Sequence, residues 1–444
     1  METQQRETLE PIATELTSAA LSYSVAVVGL GYVGLPLALL AARKGHRVVG
    51  IDVSEKKVAS IRGGTSPFYD EAITRHLAET KLEADTDFVR IRDAEIVIVC
   101  VPTPVRDDHS PDLDPLIKAC ESIAPHLSQG SLIVIESTVN PGICDTIVIP
   151  TLEQHSNLVA GRDFMVSHCP ERVNPGDDRW GVDNINRVAG SLTPQGLEKT
   201  LLFYRSIVDG EVRPMGSLKE AEAVKIVENT FRDINIAFVN ELAMSFDRMG
   251  IDIVNVIDAA STKPFAFMPH YPGCGVGGHC IPVDPYYLIE EGRRHGFDHE
   301  FLALARRINN RMPIHTVDIL EKMLSEAGIA LSDARIAVLG LAYKADIDDM
   351  RESPAHDILN ELTARGATPV AFDPYVQDDR YASSLDEALL GAQAAIIATP
   401  HKAFRNMHPR DFLDRGVEIV LDGKNCLPKK LFLDSGITFK GIGR

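Results

Sequence analysis

The chain has 444 residues, 45% of them hydrophobic, which is enough for two or three domains with separate cores. Its formal net charge of -18 excludes the broad cationic surface that nucleic acids or anionic membranes require. Its seven cysteines are scattered without CxxC pairs, a pattern typical of a reducing compartment such as the cytoplasm.

The N-terminus does not have the pattern of a secretory signal. Residues 1–22 are polar and acidic and lack a basic region before an apolar run, so we interpret them as a flexible or weakly helical extension. No apolar run approaches the roughly 20 residues of a membrane helix. Cys274, His279 and Cys280 lie close together, but a single cluster is weak evidence for zinc, and no metal is predicted.

A dinucleotide fingerprint follows the extension. The β-branched run from Ser24 to Val28 enters a glycine turn, a helical pattern covers Leu37 to Lys44, and a second strand, His46 to Ile51, ends at Asp52. This is the strand, turn and helix that a Rossmann domain requires, and an acidic residue at this strand end favours NAD over NADP. The predicted cofactor-binding residues are Gly29, Gly31, Tyr32, Val33, Gly34 and Asp52, together with Thr103 further along the chain.

Two further strand ends are predicted to line the same crevice. Runs at 94–101 and 131–136 lead into Thr103 and Thr138, which either contact the ligands or serve as turn and cap residues. A third short strand, 164–167, leads to Glu171 and Arg172 between two prolines. This pair is either positioned for function or an ordinary surface ion pair.

A long helix is predicted from Leu218, because apolar residues recur there at intervals of three and four. Such a helix joins two domains and can form a dimer seam. Lys225 and Asn229 are four residues apart and share one face, although a solvated surface is the ordinary alternative for a helical lysine.

The glycine turn before Cys280 combines a thiol with an acid, Asp284, four residues later. A thiol beside a nicotinamide cofactor can trap an aldehyde, permit a second oxidation and hold the product as a thioester. The alternative is a small buried apolar cysteine. Gly277 and Gly278 are predicted to let the backbone approach a ligand closely.

A second α/β unit spans Leu331 to Thr399 and lacks the triple glycine, so it is predicted to hold a different nucleotide. The predicted fold is α/β, with two Rossmann-like doubly wound domains joined by a long central helix. The predicted boundaries are 1–22 for the extension, 23–212 for the NAD domain, 213–325 for the central helical domain and 326–444 for the C-terminal domain.

Seven motifs together resemble the UDP-glucose/GDP-mannose dehydrogenase family over about residues 24 to 435. They are GLGYVGLP, VPTP, STV, CPERVNPG, KIVENTFRDINIAFVNE, GVGGHCIPVDP and GLAYKADIDDMRESPA, in that order. The resemblance implies an enzyme that oxidises the C6 alcohol of a nucleotide sugar to a carboxylate with two NAD and one water, in glycan precursor synthesis.

The resemblance also implies roles for individual residues. Cys280 matches the catalytic thiol, while Lys225 and Asn229 match the residues that hold the C6 oxygen. Glu171 matches a candidate general base, and Thr138 and Asp284 match residues that position water and tune protons. The implied UDP and sugar contacts are Lys344, Arg351, Arg172, Gly277 and Gly278.

The substrate branch is predicted from the segment after Glu171. UDP-glucose members typically carry a second acid four residues after this glutamate, where Pro175 stands here. The segment is similar to the branch that acts on UDP-N-acetylglucosamine or UDP-N-acetylmannosamine, and Arg172 would there contact the N-acetyl or phosphate end or form a structural salt bridge. The alternatives are a UDP-glucose 6-dehydrogenase, a two-electron hydroxyacid-type dehydrogenase and a non-catalytic nucleotide sensor.

Overall fold

The computed structural model describes residues 22–68, 70–106, 110–173, 179–278 and 280–444. The predicted extension up to Leu21, together with His279 and Pro175, therefore lies outside the described residues. Within the described part of the chain, no helix combines the length and apolarity needed to cross a membrane.

The first unit is built on an eight-stranded sheet. Its strands pair in the order β3-β2-β1-β4-β5-β6-β7-β8, and every described pairing is parallel except β6 with β7. The strand order reverses at β1, so the ligand crevice of a doubly wound sheet lies at the carboxyl ends of β1 and β4. The strands are β1 (Ser24–Val28), β2 (Arg47–Ile51), β3 (Glu83–Asp85), β4 (Ile96–Val99), β5 (Leu132–Ile135), β6 (Met165–His168), β7 (Arg187–Ser191) and β8 (Val212–Pro214).

Helices cover both faces of this sheet, since apolar side chains on alternate sides of β1 and β4 enter two separate cores. Helix α1 starts at Gly34, three residues before the predicted start at Leu37, because Pro36 is compatible with the first turn of a helix, whose amides lack partners. The helices are α1 (Gly34–Arg43), α2 (Glu55–Arg62), α3 (Glu71–Glu79), α4 (Asp114–Ile123), α5 (Ile149–Ser156) and α6 (Pro194–Ile207).

Four helices form the middle of the molecule. The longest, α7, has 32 residues, begins after the N-cap Ser217 and ends at the left-handed Gly250. It packs on α10 through a buried polar network in which Arg306 and Asn309 donate to Asp233. The helices are α7 (Leu218–Met249), α8 (Ile253–Ser261), α9 (Asp284–Arg294) and α10 (Glu300–Glu326).

The second unit has a five-stranded parallel sheet in the order β10-β9-β11-β12-β13. Its strands are β9 (Arg335–Leu339), β10 (Thr368–Phe372), β11 (Ala394–Ile397), β12 (Ile419–Asp422) and β13 (Thr438–Gly441), and its helices are α11 (Pro354–Ala364), α12 (Leu385–Leu389), α13 (Lys402–Arg405), α14 (Pro409–Leu413) and α15 (Lys429–Leu433). The predicted α/β fold, with two doubly wound units and a long connecting helix, is confirmed.

Candidate active site

The glycine turn after β1 fits a dinucleotide. Gly29 has a φ of +94°, and a Cβ there would lie 2.7 Å from the carbonyl oxygen of Cys100, so only glycine is accommodated. A Cβ at Gly34 would lie 1.9 Å from the Gly29 carbonyl oxygen, which explains the third glycine. By contrast, a Cβ at Gly31 would meet no described atom within 4 Å, so space remains for a pyrophosphate to approach the backbone.

Asp52 lies at the tip of β2, as predicted. Its Oδ2 accepts hydrogen bonds from the Leu30 amide at 2.9 Å and from the Lys57 ammonium at 3.2 Å, and its Oδ1 accepts from the Ser54 amide at 2.9 Å. These bonds connect the glycine turn to the strand end where a ribose would lie. The carboxylate therefore orders the turn in addition to its predicted contact with the cofactor.

In the second unit, the acid that corresponds to Asp52 is not accessible to ligands. Asp373, at the tip of β10, accepts the Leu341 and Ala342 amides, but its fully buried carboxylate is also bound by His401 Nε2 at 2.8 Å. His401 Nδ1 accepts the Asp346 amide, so Nε2 carries the proton. Burial opposes ionisation of Asp373, yet the His401 bond and these amides hold its pKa below the usual value.

The two strand-end loops of the first unit are connected to each other. The Thr103 hydroxyl donates to the Thr138 carbonyl at 2.6 Å, so Thr103 serves the loop itself. The Thr138 hydroxyl makes no hydrogen bond within the described part of the chain, and its residue is half-buried. Sequence reasoning missed Tyr287 of α9, whose hydroxyl donates to the Thr103 carbonyl and whose own carbonyl accepts from Asn140 at 3.0 Å.

Lys225 and Asn229 are brought beside the thiol turn. Lys225 is only 9% exposed, which rules out the solvated surface that is ordinary for a helical lysine. Asn229 Nδ2 donates to Asp284 Oδ2 at 2.5 Å, so the first turn of α9 is held against α7. The charge of Lys225 acts on both Cys280 and Asp284. The structure therefore brings all four predicted residues together.

Burial controls the protonation of this cluster. Burial and, to a lesser extent, the nearby Asp284 charge raise the pKa of the Cys280 thiol to about 12, against the opposing charges of Lys225 and Arg351. Burial also raises the pKa of Asp284 to about 7, against the Asn229 bond and the Lys225 charge. At neutral pH the substrate-free protein thus holds a thiol next to a carboxyl group that can take up or release a proton.

The glycines before Cys280 have a different neighbour from the one predicted. Gly278 has a φ of +93°, and a Cβ there would lie 2.8 Å from the Tyr343 ring. A Cβ at Gly277 would lie 2.7 Å from the Glu352 carbonyl oxygen. The space that was expected for a ligand is filled by the loop after β9, so these glycines permit close packing between the thiol turn and the second unit.

That loop, residues 340–353, reaches both predicted sites. Its Arg351 carbonyl accepts the Gly278 amide at 3.3 Å, and the Arg351 guanidinium pairs with Asp349. The Tyr32 hydroxyl, from the fingerprint of the first unit, donates to Asp348 at 3.1 Å. Lys344 lies on the same loop and is half-buried. The predicted UDP residues are thus adjacent to the thiol turn and to the fingerprint.

Glu171 and Arg172 form separate ion pairs. The Arg172 guanidinium binds Glu228 of α7 through Nε at 3.2 Å and through Nη2 at 2.5 Å, so of the two predicted roles the structure realises the salt bridge. Glu171 pairs with the fully buried Arg187 at 3.0 Å. Sequence reasoning missed Arg187, because the short strand that it begins, with Val188 as the one β-branched residue, gives no local signal of a buried charge.

Glu222 is a second residue that sequence reasoning missed. It lies one helical turn before Lys225, is fully buried, and accepts the Gly142 and Cys144 amides. These amides belong to the loop that carries Thr138. A glutamate three residues before a candidate lysine on the same helix face was the available signal. Through Glu222, α7 fixes the distance between this loop and Lys225.

Family models match almost all of the chain. The NAD binding domain of the UDP-glucose/GDP-mannose dehydrogenase family matches residues 23–208, the central domain of that family matches 219–311, and its UDP binding domain matches 337–429. Together these matches cover the fingerprint, the helix with Lys225, the thiol turn and the loop with Arg351.

Individual proteins are similar over nearly their whole length. A UDP-N-acetyl-D-glucosamine 6-dehydrogenase of Pseudomonas aeruginosa is 39% identical, covering 91% of this chain and 97% of that protein. The solved structure of a UDP-D-ManNAc dehydrogenase from Pyrococcus horikoshii has a TM-score of 0.88 at 36% identity, covering 95% of this chain and 99% of that one. A UDP-glucose dehydrogenase structure from Pyrobaculum islandicum has a TM-score of 0.83 at 27% identity, covering 96% and 98%.

Proposed function

Because this chain belongs to the UDP-glucose/GDP-mannose dehydrogenase family, it is an NAD-dependent nucleotide-sugar dehydrogenase, and we propose that it oxidises the C6 alcohol of a UDP-N-acetylhexosamine to the carboxylate. The observation that carries the proposal is the cluster of half-buried Cys280 and Asn229 with buried Lys225 and Asp284, between α7 and α9. Bound NAD supplies the hydride acceptor for both oxidations.

The thiol is the proposed nucleophile. Cys280 adds to the C6 aldehyde to form a thiohemiacetal, a second oxidation at C6 converts this to a thioester, and water releases the carboxylate and the thiol. Because the thiol is protonated at rest, its proton must leave as the C–S bond forms. Asp284, with a pKa near neutrality, is the proposed acceptor of that proton.

The other members of the cluster stabilise charge and position water. The buried Lys225 ammonium is proposed to stabilise the negative charge that develops on the C6 oxygen, where a low-polarity environment strengthens the interaction. Asn229, held by Asp284, is proposed to donate to the same oxygen. Thr138 is proposed to orient the hydrolytic water, with Glu171 as the candidate base.

The N-acetylated substrate is supported by two features. The relatives with the names UDP-N-acetyl-D-glucosamine 6-dehydrogenase and UDP-D-ManNAc dehydrogenase are 39% and 36% identical, against 27% for the UDP-glucose dehydrogenase. The second acid that is typical of UDP-glucose members is replaced by Pro175. Both features leave the glucosamine and mannosamine epimers open, and a cytoplasmic role in glycan precursor synthesis is proposed with either.

A homodimer is proposed from the exposed side of α7. Val227, Phe231 and Phe238 share one helix face and are 56%, 49% and 53% exposed. The Phe231 ring contacts His270, so the loop before the thiol turn adjoins this face. An apolar helical stripe of this kind is suited to pairing with a second copy of the same helix.

The test is the yield of NADH from limiting UDP-N-acetylglucosamine, UDP-N-acetylmannosamine and UDP-glucose, offered separately to the purified protein. We expect about two NADH per sugar and a uronate product from one N-acetylated epimer. One NADH per sugar would contradict the thioester route, as it would indicate a two-electron dehydrogenase. Turnover of UDP-glucose alone would overturn the proposed substrate.

A further inference from the structure

A buried chain of charges lies behind Glu171. Arg187 begins β7, and its guanidinium has no exposed surface. It donates through Nη1 to Glu136 Oε1 at 3.1 Å and through Nη2 to Glu171 Oε2 at 3.0 Å. Glu136 follows β5 and is also fully buried, whereas the Glu171 side chain is 10% exposed. One guanidinium thus joins an interior carboxylate to one at the crevice.

The interior end of this chain is anchored in the core of the first unit. Glu136 Oε1 also accepts the hydroxyl of Tyr204, a fully buried residue of α6. The Arg187 guanidinium lies over the Tyr204 ring, 5.2 Å from its centroid. The position of Arg187 is therefore set by two groups that do not belong to the crevice.

The crevice end holds one carboxylate in a single orientation. Glu171 Oε1 accepts the Arg172 and Val173 amides at 2.6 and 2.7 Å, and Oε2 accepts Arg187. A carboxylate offers about four acceptor positions, so the described residues occupy three and leave one, on Oε2. The next residue, Arg172, forms an ion pair with Glu228, which directly precedes Asn229 on α7.

The composition of this chain favours a role in positioning. Arg187 meets two carboxylates at fixed angles, which the planar guanidinium fork permits and the ammonium of lysine does not. Apolar residues of similar volume commonly stabilise a core at least as well as a buried ion pair, so packing alone gives no reason for these charges. What the arrangement provides is a fixed direction for the last acceptor position of Glu171.

We propose that Arg187 is a positioning residue that acts through Glu171, aiming its remaining acceptor position at the reacting water or sugar hydroxyl. This inference rests on the proposed function, because it assigns Glu171 to the same reaction. Glu136 and Tyr204 hold the guanidinium from behind, and Arg187 itself touches neither substrate nor cofactor.

The experiment is a mutant cycle in a Glu136→Gln background. Arg187→Met alone would leave two carboxylates without their partner and could prevent folding, whereas Glu136→Gln removes one charge and keeps an oxygen for Tyr204 and Arg187. The variants are E136Q as the reference, E136Q/R187M, E136Q/E171Q and the triple variant, with E136Q/R187K as the conservative replacement. Each is assayed for kcat, KM for the UDP-sugar, NAD affinity and thermal midpoint.

We expect E136Q/R187M to lose at least about tenfold in kcat relative to E136Q, as displaced catalytic groups typically cost more than this, with NAD affinity within about twofold. The triple variant should be no slower than E136Q/E171Q, because Arg187 acts only through Glu171. E136Q/R187K should recover part of kcat, since it restores the charge without the fork.

Two results would overturn the inference: a kcat of E136Q/R187M equal to that of E136Q, or effects of R187M and E171Q that multiply in the triple variant. The proposed substrate is tested separately by the wild type. If the wild type oxidises only UDP-glucose, the proposed substrate is wrong and the cycle is run on UDP-glucose. If it oxidises no UDP-sugar, both proposals are wrong.

Discussion

At the scale of single residues, the state of the thiol depends on burial and on four charged neighbours. Burial favours the protonated form, as do the charges of Asp284 and Asp349, while Lys225 and Arg351 favour the thiolate. A protonated thiol is a poor nucleophile and resists adventitious oxidation.

Replacing Cys280 by serine separates the two oxidations. We expect the variant to oxidise the alcohol slowly and to lose carboxylate formation by at least about 10³-fold, because a hydroxyl does not replace the thiol as nucleophile and leaving group. NAD affinity should not change. The measurement is NADH and uronate per sugar, with Cys274→Ser, a buried cysteine six residues upstream, as the matched control. Uronate at the wild-type rate from C280S would contradict the covalent mechanism.

Replacing Asp284 by asparagine should make the thiol more reactive. The substitution removes a negative charge that raises the Cys280 pKa and keeps an oxygen that can accept the Asn229 bond. A lower pKa gives more thiolate at a given pH, so we expect iodoacetamide to alkylate Cys280 several-fold faster between about pH 8 and 9. Peptide mass spectrometry measures the rate. An unchanged rate would mean that the Asp284 charge does not raise the Cys280 pKa, and a slower rate would mean that loss of Asp284 as a base outweighs the removal of its charge.

At the scale of elements, the thiol turn depends on the loop after β9 for its shape. Gly278 combines a left-handed conformation with contact to the Tyr343 ring, and its amide donates to the Arg351 carbonyl. The turn is therefore held by a segment more than sixty residues away in the sequence. The loop that carries the predicted UDP residues is thereby also a structural support for the nucleophile.

We expect Gly278→Ala to lower the stability of the protein by more than the strain of a left-handed alanine alone would. A left-handed alanine costs about 1 kcal/mol, and relieving the contact with Tyr343 should add about 1–3 kcal/mol. Gly296→Ala is the matched control, since Gly296 has a φ of +77° but no described atom within 4 Å of an added Cβ. We expect a larger loss of thermal midpoint and kcat for G278A. Equal losses in both variants would mean that Tyr343 does not restrict the turn.

At the scale of the whole molecule, the crevice exists only where the two sheets and the central helices meet. The Tyr32 to Asp348 bond joins the fingerprint to the second unit, and Asn140 bonds the first unit to α9. Neither sheet supplies both the glycine turn for the cofactor and the thiol. Contacts between distant parts of the chain thus bring the predicted nucleotide sites towards the proposed nucleophile.

The exposed stripe on α7 predicts self-association. Phe238→Glu places a charge in the proposed apolar seam, so we expect the dimer to dissociate, with an increase of at least about 100-fold in the dissociation constant. Light scattering after size-exclusion chromatography measures the mass. Leu390→Glu, at a 72% exposed leucine of the second unit, is the matched control. A wild-type monomer, or a dimer that persists in F238E, would contradict the proposed seam.

The sequence by itself determined the features that depend on near neighbours. The glycine fingerprint, the strand ends and the 32-residue helix follow from spacing over a few residues, because backbone conformation and periodic burial are local properties. The same spacing placed Lys225 and Asn229 on one helix face. The motif resemblance extended this to the identity of the thiol and of its family.

Only the tertiary structure decided which distant groups meet. Three contacts join residues from separate elements. Asn229 bonds to Asp284, Gly278 packs against Tyr343, and Arg187 is buried between Glu136 and Glu171. No local pattern encodes such a pair, because its energy depends on burial and on the direction of side chains after the elements have packed. For that reason the sequence pointed to the proposed nucleophile and to the charged residues near it, whereas the burial that raises its pKa, and the Arg187 pair that holds Glu171, emerged only from the fold.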